Sequence, residues 1–381
     1  MTTTLRVIVD DILASSSPAL SSYTEEITLA LIGTAPVGCE VNGIVSARPE
    51  PAYAELARRL PGLGGVFKSA LTRRDLQLSW RHGLTPLPGG GMLHSPSLLA
   101  PLVRHDRVNR PNDQTVVTVH DTFAWTHPQG LTSHQIAWQK AMAKRAHRFA
   151  DAVVVPTYAV GRQLDDIYPF GDRIRVIGGA ARSSLALPED PESRARAMEL
   201  PARYLFTVGD AEERGNLIAL LRSLTRDTDA GLPLVIAAPS PAGDVDALTR
   251  LVVECEVPPE RVRFLGHLGD RDLTVAYSRA AVVVLPGLAE GFGQPLLEAF
   301  NSGTPVIHSD DPALVEIAAG CGVTVPLANS DEYPDRLAAA ITSVVNDATL
   351  AERLRYAGLD RARAFSWREA AQRVWALHAD L

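Results

Sequence analysis

The sequence predicts an α/β protein of two domains, each a parallel β-sheet covered by helices. With 381 residues, the chain is longer than one ordinary hydrophobic core requires. Short β-branched runs alternate with longer segments of helical periodicity, which indicates repeated βα units. The runs are continuously apolar, as is typical of parallel strands that are buried on both faces.

In the first half of the chain, four apolar runs are predicted to be strands. They lie at residues 6–9, 92–94, 116–119 and 152–155. Residues 22–32 and 134–149 lie between strands and have apolar side chains at helical spacing. This pattern predicts a first domain over residues 1–190.

Residues 180–198 break the pattern, because arginine, serine, proline and acidic residues replace the apolar runs. A linker is therefore predicted near Pro188 and Pro191, followed by a second doubly wound sheet over residues 197–361. Its strands are predicted at residues 204–208, 234–237, 262–265, 281–285, 305–308 and 323–325. The tail from residue 337 is mostly helical by periodicity, and its end, at about 362–381, is expected to pack back on the first domain.

Composition and charge exclude several classes of protein. The net charge of -7 argues against a general attraction to nucleic acid. Three distant cysteines, Cys39, Cys255 and Cys321, indicate neither a disulfide framework nor a zinc site. No signal peptide is predicted, and no run approaches the ~20 apolar residues that span a bilayer. We expect a cytoplasmic protein.

The most informative segment follows the apolar run at residues 281–285. A loop there contains Glu290 and two glycines, and a helix is predicted to begin near Gln294. The first amides of a helix are free to bind phosphate or sugar oxygens. Glu298 lies about one turn into that helix. Carboxylates accept hydrogen bonds only, so two of them suit a ligand rich in hydroxyl groups.

A single glutamate near a helix start is usually explained by the helix dipole, but here the combination of residues is specific. The run E-G-F-G-x-P-x-x-E-A, with Glu290 and Glu298 in register, resembles the E-x7-E signature of retaining glycosyltransferases of family 4. The segments 261–277 and 115–121 are similar to further segments of that family, in the same order. The resemblance implies the GT-B fold, in which two Rossmann-like domains face each other across a central crevice.

The resemblance also implies roles for individual residues. Glu298 would bind the ribose hydroxyls of the nucleotide, and Glu290 the hydroxyls of the transferred sugar. His120 would contact the donor sugar from the opposite domain; the alternative is a histidine that caps a strand end. Further donor-binding residues implied by the family pattern are Gly209, Arg214, Gly291, Phe292, Gly293 and Gln294.

The chemistry implied is transfer of a hexose from a nucleotide diphosphate sugar with retention of anomeric configuration. The departing diphosphate would assist attack by the acceptor hydroxyl, so neither a metal nor a cofactor is implied. The acceptor would be a sugar, a lipid-linked molecule or a small molecule. Catalysis would depend on positioning and on electrostatic stabilisation of the leaving group.

Two loops depart from the family pattern. Where the family has Arg-Lys after the first strand of its second domain, this chain has Arg214-Gly215, and residues 210–213 include three acids. A carboxylate about 4 Å from a phosphate charge would repel it by ~4 kcal/mol at an effective dielectric of 20. Either the positive charge of Arg214 compensates for this repulsion, or Arg214 is a solvated surface residue. Residues 13–24 lack the glycines that the family has before its first helix, which narrows or reshapes the site.

These departures leave two further hypotheses open. One is a non-catalytic, glycosyltransferase-like partner or scaffold subunit of an active enzyme; the other is a GT-B epimerase or phosphorylase. The sequence leaves the oligomeric state open. One predicted helix has a basic surface, formed by Lys140, Lys144, Arg145, His147 and Arg148. This surface either makes peripheral contact with the inner face of a membrane or is an ordinary solvated face.

Overall fold

A computed structural model describes residues 3–14, 18–84, 90–106, 109–110, 112–226, 230–238 and 245–381. The chain divides into two compact units, Met1–Gly179 with Ser366–Leu381, and Ala180–Phe365. The division at residue 179 precedes the predicted boundary at residue 190. The reason is that Arg182 and Arg194 form ion pairs with acids of the second unit.

Among the described residues, the first unit contains a seven-stranded parallel sheet. Its strands are β1 (Thr3–Ile8), β2 (Cys39–Val45), β3 (Gly65–Lys68), β4 (Met92–Ser95), β5 (Gln114–Thr118), β6 (Ala152–Val155) and β7 (Ile174–Val176). They are arranged in the order β3-β2-β1-β4-β5-β6-β7. The four predicted strands are present as β1, β4, β5 and β6, within three residues at each end. The sequence did not predict β2, β3 or β7.

The helices of this unit cover the faces of the sheet. They are α1 (Pro18–Gly33), α2 (Glu50–Arg59), α3 (Arg73–His82), α4 (Phe123–Thr126), α5 (Ser133–Phe149) and α6 (Tyr158–Ile167). Helix α5 begins with a capping box, in which Thr132 and Gln135 satisfy each other's backbone amides. Its buried face, with Met142 and Ala146, joins a core with Val117, Val153 and other strand residues.

Among the described residues, the second unit contains a six-stranded parallel sheet. Its strands are β8 (Leu205–Val208), β9 (Leu234–Ala238), β10 (Val262–His267), β11 (Val282–Leu285), β12 (Val306–Ser309) and β13 (Val323–Val325). All six were predicted, within two residues at each end. The helices are α7 (Pro191–Ala197), α8 (Leu217–Ser223), α9 (Val245–Glu254), α10 (Asp270–Arg279), α11 (Gln294–Asn301), α12 (Pro312–Ala318), α13 (Tyr333–Asn346) and α14 (Ala348–Ala362). The predicted linker residue Pro191 begins α7.

The last helix, α15 (Trp367–Asp380), belongs to the first unit and packs against α1. The indole Nε1 of Trp375 donates a hydrogen bond to the carbonyl oxygen of Leu31 at 3.1 Å. This buried bond ties α15 to α1. Within the part of the chain that the structure describes, no helix is long and apolar enough to cross a membrane.

Strand order reverses once in each sheet, which marks where ligands bind in open parallel sheets. In the second unit the order is β10-β9-β8-β11-β12-β13, so the reversal lies between β8 and β11. In the first unit it lies between β1 and β4. The loops that follow these four strands are therefore the first places to look for a site.

The first unit contains two buried histidines, His94 on β4 and His378 on α15, with ring centroids 5.7 Å apart. Among the described residues, neither ring nitrogen of His94 has a hydrogen-bond partner. His378 Nδ1 lies 3.1 Å from Gln114 Oε1. Burial lowers the pKa of His94 to about 3 and that of His378 to about 4. Both rings are therefore neutral in the folded protein near neutral pH.

The histidine pair predicts that the first unit loses stability in acid. In the unfolded chain each of these two histidines takes up a proton below about pH 6.5, whereas in the folded protein neither ring takes up a proton until about pH 4. The free energy of unfolding should therefore fall as the pH is lowered through this window, by about 1.5 kcal/mol per histidine between pH 6.5 and 5. Urea unfolding at several pH values measures this. His94→Leu should make the free energy of unfolding depend less on pH, and the exposed-site control His134→Leu should leave that dependence unchanged. The same pH dependence in the native protein and both variants would contradict the prediction.

Candidate functional site

The loop between β11 and α11 has the strand–loop–helix form that the sequence predicted. Gly293 stands immediately before α11 with φ at +67°, a left-handed conformation that L side chains rarely adopt. A Cβ atom added there would lie 2.6 Å from Leu314 Cδ2, so the lack of room for a side chain also favours glycine. The Leu296 amide makes an early turn bond to the Gly293 carbonyl at 2.9 Å. The amides of residues 292–294 therefore lie at the helix entrance, where intrahelical acceptors are lacking.

This loop is bonded to the loop that follows β8, across the point where the strand order reverses. Arg214 Nε donates to the Ala289 carbonyl at 3.1 Å, and the Leu288 amide donates to the Arg214 carbonyl at 3.0 Å. Asn216 Nδ2 donates to the Pro286 carbonyl at 3.1 Å. Arg214 is thus half-buried and bonded to the loop that contains Glu290, and its predicted role in binding the diphosphate stays a prediction.

The end of β12 and the loop after it support the same segment from its other side. Ser309 Oγ donates to the Gly287 carbonyl at 2.6 Å. Asp311 accepts the amides of Ala313 and Leu314 at 3.0 and 3.1 Å, so it caps α12. Burial raises the pKa of Asp311, although backbone amides, including that of Glu290, partly offset this. Residues after β8 and at the end of β12 therefore fix the segment that contains Glu290.

Glu290 itself lies beside the backbone of the two bonded loops. A Cβ atom added to Gly287 would be 3.2 Å from Glu290 Oε1 and 3.3 Å from the Arg214 carbonyl oxygen. The side chain is half-buried, so part of it is open to solvent. Gly209, at the end of β8, has open space where a side chain would project. The structure thus brings Glu290, Arg214 and the glycine loop of residues 291–293 into one neighbourhood of the second unit.

Glu298 has a different environment from the one that the sequence suggested. Its side chain is 4% exposed, and Arg182 Nε donates to its Oε1 at 2.7 Å. Its Oε2 accepts from Arg182 Nη2 at 3.3 Å and from Tyr277 Oη at 3.1 Å. Arg182 also donates from Nη1 to Asp270 Oδ1 at 2.8 Å. The predicted contact of Glu298 with ribose stays a prediction, and this carboxylate already has protein partners.

The charges of this cluster are strongly coupled. Burial alone would lower the pKa of the Arg182 guanidinium, but Glu298 and Asp270 more than offset it, and the pKa is raised. Burial, followed by the charge of Glu298, raises the pKa of Tyr277 well above its ordinary value. Both groups therefore remain protonated donors to Glu298 at neutral pH.

The acids of the loop after β8 turn partly toward their own backbone. Asp210 Oδ1 accepts the amide of Glu212 at 2.9 Å, and Glu212 and Glu213 are exposed. Asp210, in contrast, is half-buried. It is therefore the acid of this loop to which the predicted repulsion of a phosphate applies. Gly215, where the family has lysine, has no atom within 4 Å of an added Cβ.

In the first unit, His120 follows β5 and is held by its neighbours. Its Nε2 lies 2.7 Å from the Pro96 carbonyl oxygen, in the loop after β4. Its ring meets Tyr23 edge-on, with centroids 4.5 Å apart, and Tyr23 meets Trp367 at 5.4 Å. The ring is half-buried. Its predicted contact with the donor sugar stays a prediction.

Sequence reasoning missed a buried polar cluster at the strand reversal of the first unit. Asp10 and Asp11, just after β1, are both 1% exposed. Arg73 bonds to both carboxylates at 2.5 Å, and Ser97 Oγ donates to Asp11 at 2.7 Å. Burial would raise the pKa of Asp10, but hydrogen bonds from Ser46 and the charge of Arg73 lower it overall. Two acids directly after an apolar strand were the available signal. Residues 15–17 of the predicted N-terminal loop lie outside the described residues.

Comparison with known proteins identifies both units. Residues 191–361 match the family model for glycosyl transferases group 1, and residues 35–180 match that for glycosyltransferase family 4. The O-antigen chain mannosyltransferase B of Escherichia coli is 29% identical over 266 residues, 67% of each chain. The D-inositol 3-phosphate glycosyltransferase of Corynebacterium aurimucosum is 29% identical over 242 residues, 61% of this chain and 57% of that protein.

Solved structures agree over the whole chain. Sucrose-phosphate synthase from Thermosynechococcus elongatus matches with a TM-score of 0.71 and 19% identity, covering 100% of this chain and 99% of that one. Anabaena HepE in complex with UDP and glucose matches with a TM-score of 0.72 and 15% identity, covering 100% of both. Fold and sequence together define a glycosyltransferase-type protein of the GT-B class, as predicted. Within that class, the chain belongs to the family 4 type.

The geometry of Gly293 predicts a local loss of stability on substitution. Gly293→Ala forces a left-handed alanine against Leu314, so the free energy of unfolding of the second unit should fall by about 1–3 kcal/mol. Gly215→Ala is the matched control, because it lies in the adjoining loop with open space and should change stability by less than about 0.5 kcal/mol. Urea unfolding followed by circular dichroism measures both. Equal stability of the two variants would contradict the described loop conformation.

Proposed function

We propose that this protein is a retaining, metal-independent glycosyltransferase that moves a hexose from a nucleotide diphosphate sugar to a sugar, lipid-linked or small-molecule acceptor. The observation that supports this most is the segment of Glu290, which residues after β8 and at the end of β12 fix beside Arg214 where the strand order of the second sheet reverses. This arrangement combines an acid, a cation and helix-entrance amides. Those are the groups that a sugar diphosphate requires.

Each group has a chemical task in this proposal. The Glu290 carboxylate accepts hydrogen bonds from hydroxyls of the transferred sugar, and the amides of residues 292–294 approach the sugar or phosphate oxygens. Arg214 neutralises charge that develops on the departing diphosphate, and Gly209 leaves open space at the end of β8. The end of the site near Glu298 receives the ribose. No group is asked to form a covalent bond, so the rate enhancement comes from positioning and electrostatics.

The relatives support this proposal by what their names state. One is a mannosyltransferase and another is a D-inositol 3-phosphate glycosyltransferase, so both transfer sugars. A second structure of Anabaena HepE is a complex with UDP-glucose, a nucleotide sugar. The first unit would supply the acceptor side, with His120 directed to the donor sugar. Transfer at the inner face of a membrane would give access to a lipid-linked acceptor, and it would be consistent with the basic surface of α5.

A second candidate is a non-catalytic partner subunit, and two observations favour it. Glu298 already has Arg182 and Tyr277 as hydrogen-bond partners, and the half-buried Asp210 adds a negative charge to the loop that also contains Arg214. In such a protein the fold would persist while donor binding is lost. The two candidates therefore differ in whether nucleotide diphosphates bind.

The leading proposal predicts donor-dependent activity that requires Glu290. Incubation with a panel of labelled nucleotide sugars should show transfer or donor hydrolysis, and Glu290→Ala should lower the rate at least ~100-fold, because a hydrogen-bonding charge is lost at the sugar. Glu352→Gln, at an exposed position on α14, is the control and should retain full activity. If the native protein shows neither transfer nor hydrolysis with any nucleotide sugar of a broad panel, that result would count against the proposal.

Calorimetry distinguishes the catalytic protein from a non-catalytic partner. If the chain is a transferase, a nucleoside diphosphate should bind with micromolar affinity, about -8 kcal/mol. Arg214→Ala should weaken this binding by roughly 10-fold or more, since a charged donor is removed. No detectable binding of UDP, GDP or ADP to the folded protein would favour the partner subunit.

A further inference from the structure

The side chain of His120 lies at the end of a row of aromatic rings in the first unit. We propose that Tyr23 and Trp367 are positioning residues that fix the plane of the His120 imidazole, and that Gly179 leaves the space that Trp367 needs. For its consequence in the reaction this rests on the proposed function, in which His120 is directed to the donor sugar. All four residues belong to the first unit.

The first step of the argument is the hydrogen bond of the His120 ring. Its Nε2 lies 2.7 Å from the carbonyl oxygen of Pro96. A carbonyl oxygen only accepts, so Nε2 carries a proton, and in the neutral ring the lone pair lies on Nδ1. A bond to one ring nitrogen directs the ring but holds its plane only weakly, because the χ2 torsion of histidine has broad preferences. The plane therefore needs a further contact.

Tyr23, on α1, supplies such a contact. Its ring meets the imidazole at an interplanar angle of 82°, with the centroids 4.5 Å apart. Edge-to-face contact is a preferred arrangement of aromatic rings, so it favours one plane of the imidazole over others. Burial raises the pKa of Tyr23 to about 12. The phenol is therefore neutral over the whole range in which histidines ordinarily titrate, and this contact does not change there.

Trp367, the first residue of α15, holds Tyr23 in turn. The two rings lie 5.4 Å apart at an interplanar angle of 68°. The same indole lies against Gly179, where an added Cβ atom would be 2.5 Å from Trp367 Cη2 and 2.9 Å from Cζ3. Gly179 does not have a positive φ, so its backbone would accept alanine. Glycine is needed here for the space that it leaves to the indole.

This row of contacts links His120 to the two places where the chain leaves and re-enters the first unit. Gly179 is the last residue of the unit before the chain leaves it, and Trp367 is the second residue after the chain returns. An imidazole that is already oriented loses little freedom when a ligand binds, and a correctly placed group speeds the reaction. The row therefore prepares His120 for a ligand before any ligand is bound.

Nuclear magnetic resonance tests the orientation of the ring without any substrate. In protein with isotope-labelled histidine, at about pH 8, the shifts of the ring nitrogens show which of them carries the proton. His120→Gln assigns the signals, and in the native protein the proton should be on Nε2. Tyr23→Leu should move the signals toward a mixture of the two tautomers, because the bond to Pro96 is no longer held in place. Tyr23→Phe keeps the ring and should restore the native signals.

Two pairs of variants match each change with a control. Trp367→Leu should act as Tyr23→Leu does, whereas Trp375→Leu should leave the His120 signals native; the two tryptophans are 8% and 7% exposed on the same helix. Gly179→Ala displaces the indole and should shift the signals in the same direction. Gly33→Ala should not, because nothing lies within 4 Å of an added Cβ there. Circular dichroism checks folding, and Gly179→Ala, which removes no side chain, decides if the leucine variants do not fold.

The reaction gives a second readout, which separates kcat from binding. With a donor that the native protein uses, Tyr23→Leu should lower kcat roughly 10-fold or more, because a misdirected group no longer meets the donor sugar. The Kd of the nucleoside diphosphate should change less than about 2-fold, since the proposed diphosphate groups lie in the second unit. Tyr23→Phe should recover most of the lost rate. A merely structural role of Tyr23 would not produce this division.

The possible failures are distinguishable. If the signals of His120 are native in folded Tyr23→Leu and Gly179→Ala, Tyr23 and Trp367 do not orient the ring, and the proposed function stands. Altered signals with an unchanged kcat would overturn the role of this orientation in the reaction. If the native protein transfers no sugar from any donor, the proposed function fails and this role fails with it. The resonance comparison then still decides whether the two aromatic residues fix the ring.

Discussion

The backbone of the loop between β11 and α11 must have hydrogen-bond donors to keep its shape, because an unpaired buried carbonyl is unfavourable. Arg214 and Asn216 from one side and Ser309 from the other supply them. These donors come from the loop after β8 and from the end of β12, and these two strands flank β11. The position of Glu290 therefore depends on the order of three neighbouring strands and on a few polar side chains at their ends.

The two glutamates of the signature occupy different physical environments. Glu290 lies in a loop and is half-buried, whereas Glu298 is enclosed by Arg182 and Tyr277 on the buried side of α11. An identical residue type thus stands in a partly solvent-exposed loop at one position and in a buried ion pair at the other. Burial decides between them, since a charge out of water needs a fixed partner. The spacing of eight residues alone does not distinguish these environments.

Much of the fold could be predicted from the sequence, for identifiable reasons. All six strands of the second sheet form short apolar runs, which gave a clear signal. In the first sheet, β2 contains Asn42 and Gly43, β3 is an edge strand with exposed Phe67, and β7 places Arg175 at the other edge. Such strands lack the continuous apolar pattern, so they were missed.

The site was predictable only in part. The loop glycines, Glu290 and Arg214 follow a local pattern, and the structure brings them together. The partner of Glu298 could not be predicted in this way, because Arg182 is 116 residues away in sequence and lies where the pattern indicated only a linker. Asp10 and Asp11 likewise depend on Arg73, from a different element. Pairings of this kind depend on the tertiary fold.

The return of α15 to the first unit has a consequence for the order of events during synthesis. Ala180–Phe365 is one continuous stretch, so the core of the second unit needs no residue that is made after Phe365. The first unit does, because Trp375 and the rest of α15 are made after the whole of the second unit. Until they emerge, the face of α1 that they cover stays open to water, and chaperones have their longest opportunity to bind it.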